Sequence, residues 1–313
     1  MTHHRAIAYG VDVGGLGLKA VKVGLSDAGL ERLTSKKIVL ADGDRSEEGI
    51  LKAIAGVLRQ LGAGPQATIG LAVAGSIRKS DGLLLEAANF PAWKNFALAD
   101  RLAEFFETPT VSIDNDANLF LRGEADFGAA RGFESCLGLT LGTGLGGGLM
   151  IDRKIYRGHR GLAGEVGHVV YDPNGPKCGC GAHGCIEQYA STQFLWREGR
   201  LRCTDLMAGV SKAETGWRLA AAARDGLVTA RQLFVDLGQH LGTAIAGVLN
   251  LLDVESVLIG GGLENSYDLF GLKFEQVLRA RVFTGIGDDL IIARAELGDD
   301  AGALGAAAMA SQF

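Results

Sequence analysis

Ala6-Ile-Ala-Tyr-Gly-Val-Asp-Val-Gly-Gly15 is followed closely by Leu18-Lys-Ala-Val-Lys-Val23. The first run is apolar and ends in an acid and a glycine pair; the second has partly alternating polarity, as a strand does. Phosphate loops of the dinucleotide and Walker kinds lead from a strand into a helix. Here the glycine turn leads into another strand, so it is the tip of a hairpin. The pattern returns in Leu137-Gly-Leu-Thr-Leu141, the turn Gly142-Thr-Gly-Leu-Gly-Gly-Gly148 and the strand Leu149-Met-Ile151. The string from Gly142 to Gly147 formally fits G-x-G-x-x-G, but no helix follows, which counts against a dinucleotide fold. Two such units predict a duplicated α/β chain whose halves face each other across a cleft. The repeat puts the boundary near residue 118. Residues 1–118, completed by a C-terminal helix at about 300–313, form one lobe, and residues 119–299 form the other.

The rest of the chain reads as further α/β elements. A third strand is expected near 38–40. A helix follows, with Ile50, Ile54, Val57, Leu58 and Leu61 on one face and Ser46 as its N-cap. Strands are expected at 68–73 and 110–113, and a long helix at 229–252 with Leu233, Leu237, Leu241, Ile245, Val248 and Leu252 on its stripe. A strand at 256–259 ends in Gly260-Gly-Gly262, and a helix rich in Ala and Gly starts at about Ala301. The 313 residues are 47% hydrophobic, enough for two cores, yet no apolar run reaches membrane-span length. The net charge of −5 argues against nucleic acid as a partner. The lack of a secretory signal predicts a cytoplasmic protein with reduced thiols.

Gly164-Glu-Val-Gly-His168 and Cys178-Gly-Cys-Gly-Ala-His-Gly-Cys-Ile-Glu187 place one His and three Cys in the pattern H-x9-C-x-C-x4-C. These are the ligand types and the number of a closed tetrahedral Zn²⁺ site, with His168, Cys178, Cys180 and Cys185 as ligands. Glycines at 179, 181 and 184 allow the tight turns that three converging sulfurs need. The plainer readings are a disulfide, which Cys-x-Cys suits poorly, or inert buried thiols. His183 competes as fourth ligand, but His168, from a more distant turn, closes a larger loop. Cys136 and Cys203 fall outside the pattern and are expected to be free. Glu165 and Glu187 flank the cluster, so the metal would hold polar side chains beside a pocket.

Both glycine turns offer backbone N–H groups suited to phosphate oxygens. Asp12, at the mouth of the first, suits Mg²⁺, and Thr143 in the second adds a hydroxyl. Hairpin-permitting glycines are the bland alternative; two turns, an acid and a third glycine run weigh against it. Ile113-Asp-Asn-Asp-Ala-Asn118 sits between a strand and a predicted helix containing 119–127. Capping explains one such residue, whereas four are present. Asp116 is the candidate general base, with Asp114 structural. Asn89-Phe-Pro-Ala-Trp93 is a loop with a polar tip over the core.

Taken together, these residues resemble the ROK sugar kinases of the hexokinase–actin ATPase superfamily. The match covers Asp12 to Lys19, Asn89 to Trp93, Asn115 to Asn118, Gly142 to Leu149, the Glu165/His168/Cys/Glu187 signature, Gly260 to Gly262 and Ala301 to Ala306. The resemblance implies two actin-like ATPase lobes around a central cleft, with a structural zinc loop. It implies transfer of the γ-phosphoryl of ATP, with Mg²⁺, to the 6-OH of glucose, with Asp116 as base. Asn89, Asn115, Glu165, His168 and Glu187 would hold the sugar, His168 giving one nitrogen to zinc and one to the sugar. Gly14, Gly15, Lys19, Gly142, Thr143, Gly144, Gly261 and Gly262 would face ATP. It also implies a homodimer. N-acetylglucosamine is the alternative sugar, with N-acetylmannosamine and fructose behind it. Regulators in the family carry an added helix-turn-helix, for which a first strand starting at about Ala6 leaves no room. A zinc hydrolase would need an open metal position, which four protein ligands deny. Two departures from the family pattern stand out: Leu16 replaces a hydroxyl residue after the first Gly-Gly, and Ala74-Gly75-Ser76 replaces a Pro-Gly turn.

Overall fold

The chain starts with the predicted hairpin. In a computed structural model, which describes residues 6–312 apart from 16, 28, 41–44, 88, 109 and 110, β1 (Ala6–Val13) pairs antiparallel with β2 (Gly17–Ser26), placing Asp12 opposite Lys19. Leu16 lies outside the described residues. β3 (Gly29–Val39) is far longer than the strand expected near 38–40. Most of its residues are exposed, so it carries no alternating apolar pattern; its pairing with β2 defines it. α1 (Glu47–Gln60) starts where expected, with Ser46 Oγ accepting from Gly49 N at 3.0 Å. It buries Ile50, Leu51, Ile54, Val57 and Leu58 in the core formed with Val11, Val13 and Leu18 of the hairpin.

β4 (Thr68–Val73) runs parallel to β1. A small antiparallel sheet follows, made of β5 (Gly75–Ile77), β6 (Leu84–Ala87) and β7 (Lys94–Phe96), strands too short to show an alternating pattern. Phe90 stacks on Trp93 with ring centroids 4.0 Å apart, and Phe96 meets Trp93 edge-on, so the loop's aromatics belong to the core. After α2 (Leu98–Phe106), β8 (Val111–Asn115) completes a sheet of order β3-β2-β1-β4-β8. α3 (Asp116–Phe127) starts directly at Asp116.

β9 (Cys136–Leu141) and β10 (Leu145–Ile151) form the second hairpin. The strand begins at Leu145, so the expected glycine turn of 142–148 shrinks to 142–144. Gly148 lies within the strand, at a position where a side chain would meet the Ala117 carbonyl at 2.7 Å. Asp152 and Arg153, both at positive φ, turn the chain into β11 (Lys154–Ile155). Helices α4 (Thr192–Arg202), α5 (Thr204–Met207), α6 (Thr215–Arg224) and α7 (Val228–Leu252) follow. The buried stripe of α7 is Leu233, Leu237, Leu241, Ile245 and Leu249, while the expected Val248 and Leu252 are only half-buried. β12 (Ser256–Gly260), α8 (Tyr267–Arg281), α9 (Ile286–Asp289) and β13 (Ile291–Arg294) complete a sheet of order β11-β10-β9-β12-β13. Its strand order repeats that of the first: a three-strand meander joined edge-on to two parallel strands. The duplication expected from the two glycine hairpins is therefore present in the topology.

The chain divides into two units, residues 1–134, 148–164 and 295–313 in the first and 135–147 and 165–294 in the second. The division falls after α3, and not at residue 118, because α3 packs on the last helix of the first unit, α10 (Ala301–Ala310). That contact is backbone to backbone. A side chain at Gly305 would lie 1.8 Å from the Leu119 carbonyl, and one at Gly123 would lie 2.1 Å from the Ala301 carbonyl. Gly10 and Gly70, paired in register on β1 and β4, likewise face the Ala303 and Ala306 carbonyls at 1.9 and 2.0 Å. Every residue of α10 is buried, which is why it is built from Ala and Gly. Gly305→Ala is expected to cost about 3 kcal/mol through overpacking, lowering Tm by roughly 5–10 °C. A calorimetric Tm within a degree of the parent would contradict this packing. Among the described residues, no helix is long and apolar enough to cross a membrane.

Candidate active site

In the first unit, the polar residues gather at the C-terminal ends of β1 and β8 and at the start of α3. The sequence cluster 114–118 was expected as a loop before a helix. The structure puts Asp114 and Asn115 in β8 and makes Asn115 the N-cap of α3, its Oδ1 accepting from Ala117 N at 2.9 Å and Asn118 N at 3.3 Å. Asn115 Nδ2 also donates to the Gly75 carbonyl at 3.1 Å. Capping, the plainer reading, is thus correct for Asn115, and one amide hydrogen is left for another role. Asp116 is the first residue of the helix, half-buried, with Oδ1 accepting from Ala117 N at 3.0 Å. Asp114 is 5% exposed and structural, accepting from Asn115 N at 2.7 Å and Asn118 Nδ2 at 3.1 Å and pairing with Arg157. No local pattern singles out Arg157 in the sequence.

Asp12 ends β1 beside the first turn of α10, where a side chain on Gly302 would come within 3.1 Å of its Oδ2. Burial, reinforced by Asp116 and Asp299 and opposed by Lys19, raises the Asp12 pKa to about 7. Lys19 Nζ sits on Asp299 Oδ1 at 3.0 Å, and Lys37 holds the other oxygen, so Lys19 is paired within the fold. Gly14 N–H donates to the Gly17 carbonyl at 3.0 Å, closing its own turn. The expectation of free phosphate donors fails at Gly14 for that reason, and Gly15 remains. A side chain on Gly15 would touch Asn89 at 3.0 Å, so the first turn and the exposed Asn89 are neighbours.

Between the unfolded Asp12 value near 3.8 and about 7, the native metal-free chain holds a proton that the unfolded chain has released. Its contribution to stability therefore falls as pH rises through that window. The Tm advantage of Asp12→Asn over the parent, both metal-free, is expected to grow from pH 4 to pH 7. A pH-independent difference would mean that Asp12 ionises normally.

In the second unit, two glycine turns lie at the ends of adjacent parallel strands, since Thr140 of β9 is in register with Gly260 of β12. Gly142 N–H donates to the Gly144 carbonyl at 3.0 Å, so it too is spent on its turn, leaving Thr143 and Gly144 at the tip. Gly261 has φ +84° and packs on the Leu141 backbone, a conformation and a closeness that only glycine allows; Gly262 opens the next short helical turn. Glu187 reaches the tip as well: a side chain on Gly144 would meet its Oε2 at 2.7 Å.

Glu187 Oε1 accepts from Cys178 Sγ at 3.0 Å, which leads into the Cys/His cluster. The ligand atoms of His168, Cys178, Cys180 and Cys185 all lie within 4.8 Å of one another. Cys180 Sγ and Cys185 Sγ are 3.6 Å apart, as are Cys178 Sγ and His168 Nδ1. Tetrahedral zinc, with Zn–S of about 2.3 Å and Zn–N of about 2.0 Å, requires ligand separations of about 3.6–3.8 Å. The donor set fits the ion. Cys178 and Cys185 are buried, and burial pushes both thiols up, with Glu187 adding to the rise at Cys178. A bound cation is what would deprotonate such thiols. His183 is exposed and stands outside the group, bridged to Lys177. All five cysteines are free of disulfides, and Cys136 and Cys203 lie outside the cluster.

His168 sits on a single helical turn, 166–168, closed by His168 N donating to the Glu165 carbonyl at 3.0 Å. Gly167 leaves no room for a side chain, whose Cβ would fall 2.0 Å from the Leu145 carbonyl. With Nδ1 toward Cys178, Nε2 of His168 faces Glu165 Oε2 at 3.9 Å. The second unit thus presents Glu165, the His168 nitrogen turned away from Cys178, and Glu187 around one cluster: two carboxylates and an imidazole, groups that can accept and donate hydrogen bonds.

The model of the ROK family matches residues 8–313. Over 310 residues the chain is 34% identical to a glucokinase of Thermotoga maritima, covering 96% of each. It superposes with a TM-score of 0.82 on the crystal structure of a ROK family glucokinase from Streptomyces griseus in complex with glucose and AMPPNP, at 32% identity, covering 98% of this chain and all of that one. It also superposes on a ROK family transcriptional regulator, a homolog of the E. coli MLC protein, with a TM-score of 0.83 at 26% identity; it covers 78% of that chain. The chain belongs to the ROK family.

Proposed function

We propose that this chain is an ATP-dependent glucose kinase. The observation that carries the reading is its end-to-end likeness to the T. maritima glucokinase; the S. griseus structure, with glucose and an ATP analogue bound, supports the same substrate pair. Asp116 takes the proton from the glucose 6-OH as that oxygen attacks the γ-phosphorus of ATP in line, and ADP leaves. Asn89, the remaining Asn115 amide hydrogen, Glu165, His168 Nε2 and Glu187 hold the other hydroxyls. The N–H groups left at Gly15, Thr143, Gly144, Gly261 and Gly262 face ATP, while Lys19 contributes its charge from the pair with Asp299. Asp12 would hold Mg²⁺, which when bound would neutralise charge on the transferring phosphoryl. Positioning supplies most of the rate.

His168, Cys178, Cys180 and Cys185 would hold zinc in an indirect role: bound there, it would fix the turn bearing Glu165 and the loop leading to Glu187. The enzyme works in the cytoplasm as a homodimer, without nucleic acid or membrane. A coupled assay with Mg·ATP across glucose, N-acetylglucosamine, N-acetylmannosamine and fructose tests the reading. The highest kcat/KM is expected for glucose, and a preference for an N-acetylhexosamine would replace the assigned substrate.

A further inference from the structure

We infer that Arg157, through Asp114, is a positioning residue for Asp116, an inference that rests on the kinase reading above. Arg157 follows β11, far in sequence from α3. Its Nε donates to Asp114 Oδ2, and its NH1 reaches the Ile155 carbonyl at 3.4 Å. The opposite oxygen of Asp114 holds the backbone N of Asn115 at 2.7 Å and Asn118 Nδ2 at 3.1 Å. Asn115 in turn caps α3, and Asp116 is the next residue. A single hydrogen-bonded line therefore runs from the Arg157 guanidinium to the helix turn that aims Asp116.

The line has no slack. Asp114 is 5% exposed and Asn118 1%, so neither carboxylate nor amide can turn to water for a replacement partner. Among the partners found for Asp114, Arg157 is the only cation; without it the carboxylate is a buried charge held by neutral donors alone, an unfavourable arrangement that loosens its fixed position. That loosening alters the bond to Asn115 N and with it the start of α3. Arg157 itself is held at both ends. Its carbonyl accepts from Ala163 N at 3.2 Å, and the next carbonyl, that of Gly158, accepts from Lys79 Nζ at 3.2 Å. Gly158, at φ +71°, packs on Ala163. The segment that carries Arg157 is thus pinned within the first unit and can serve as a fixed support. The short Asp at 114 is also matched to its task, reaching the guanidinium and the helix start at once.

The test compares Arg157→Met, Arg157→Lys, Asp116→Asn and the Arg157→Met/Asp116→Asn double variant, each titrated with ATP at saturating glucose to give kcat and KM, with Tm measured alongside. Arg157→Met is expected to lower kcat about 10–100-fold while KM for ATP changes less than threefold. Arg157→Lys, which keeps the charge without the fork, is expected to recover at least threefold of that loss. In the Asp116→Asn background, Arg157→Met is expected to cost less than twofold further, because both act through one group. A lowered Tm with parental kcat would overturn the inference, as would full additivity of the two substitutions. If Asp116→Asn alone keeps parental turnover, it is the base assignment that fails. If Asp116→Asn is slow and both Arg157 variants are not, only the positioning role fails.

Discussion

Asp116→Asn is expected to lower kcat by about 10²–10⁴-fold, the usual contribution of general-base catalysis, with a much smaller effect on glucose binding. The substitution keeps the shape and the bond from Ala117 N, so α3 keeps its start. What is lost is the group proposed to accept the 6-OH proton. Single-turnover kinetics with glucose affinity measured separately gives the decisive comparison. A near-parental chemical step would remove Asp116 from the mechanism. A large loss of glucose affinity with little change in the chemical step would make it a binding residue.

Cys180→Ser has the second large effect. Cys180 is the exposed cysteine of the cluster, and its sulfur is 3.6 Å from that of Cys185. Replacing it leaves three ligands for a tetrahedral ion. The variant is expected to lose its zinc, and Tm with it, since structural zinc contributes folding free energy directly. Glu165 and His168 ride on the 166–168 turn, and Glu187 contacts Cys178, so loosening the cluster misplaces the groups proposed to hold the sugar. A fall of about 10²-fold in kcat/KM for glucose follows from a displacement near 1 Å, with ATP affinity changed much less. Cys203, buried outside the cluster between α4 and α5, supplies the control: Cys203→Ser is expected to retain zinc and glucose affinity. Elemental analysis beside glucose titration decides the matter. A metal-free parent with full activity, or zinc loss in the Cys203 variant, would contradict the cluster assignment.

The repeated glycine hairpins made the α/β duplication legible before any coordinates, because a hairpin needs only local periodicity and turn residues. H-x9-C-x-C-x4-C did the same for the cluster, since ligand chemistry restricts residue types so severely. Ser46 and α1, Asp116 at the start of a helix and the buried Ala/Gly-rich terminal helix followed from local rules as well. β3 did not, because an exposed edge strand is specified by its partner β2 and not by its own pattern.

Other features belong to the tertiary structure alone. Which glycine N–H groups are spent was decided by turn geometry at Gly14 and Gly142. The choice of His168 over His183 came from where the 166–168 turn packs, against the Leu145 backbone. The division of the chain after Glu134 came from α3 lying on α10 through Gly123 and Gly305. Asp114 found its cation 43 residues away, and Asp12 acquired its raised pKa from burial and from acids distant in sequence. Local pattern determines which elements form and which ligand types are present. Contacts between residues far apart in the chain decide how those elements meet, and therefore the charge, proton affinity and orientation of each side chain in the site.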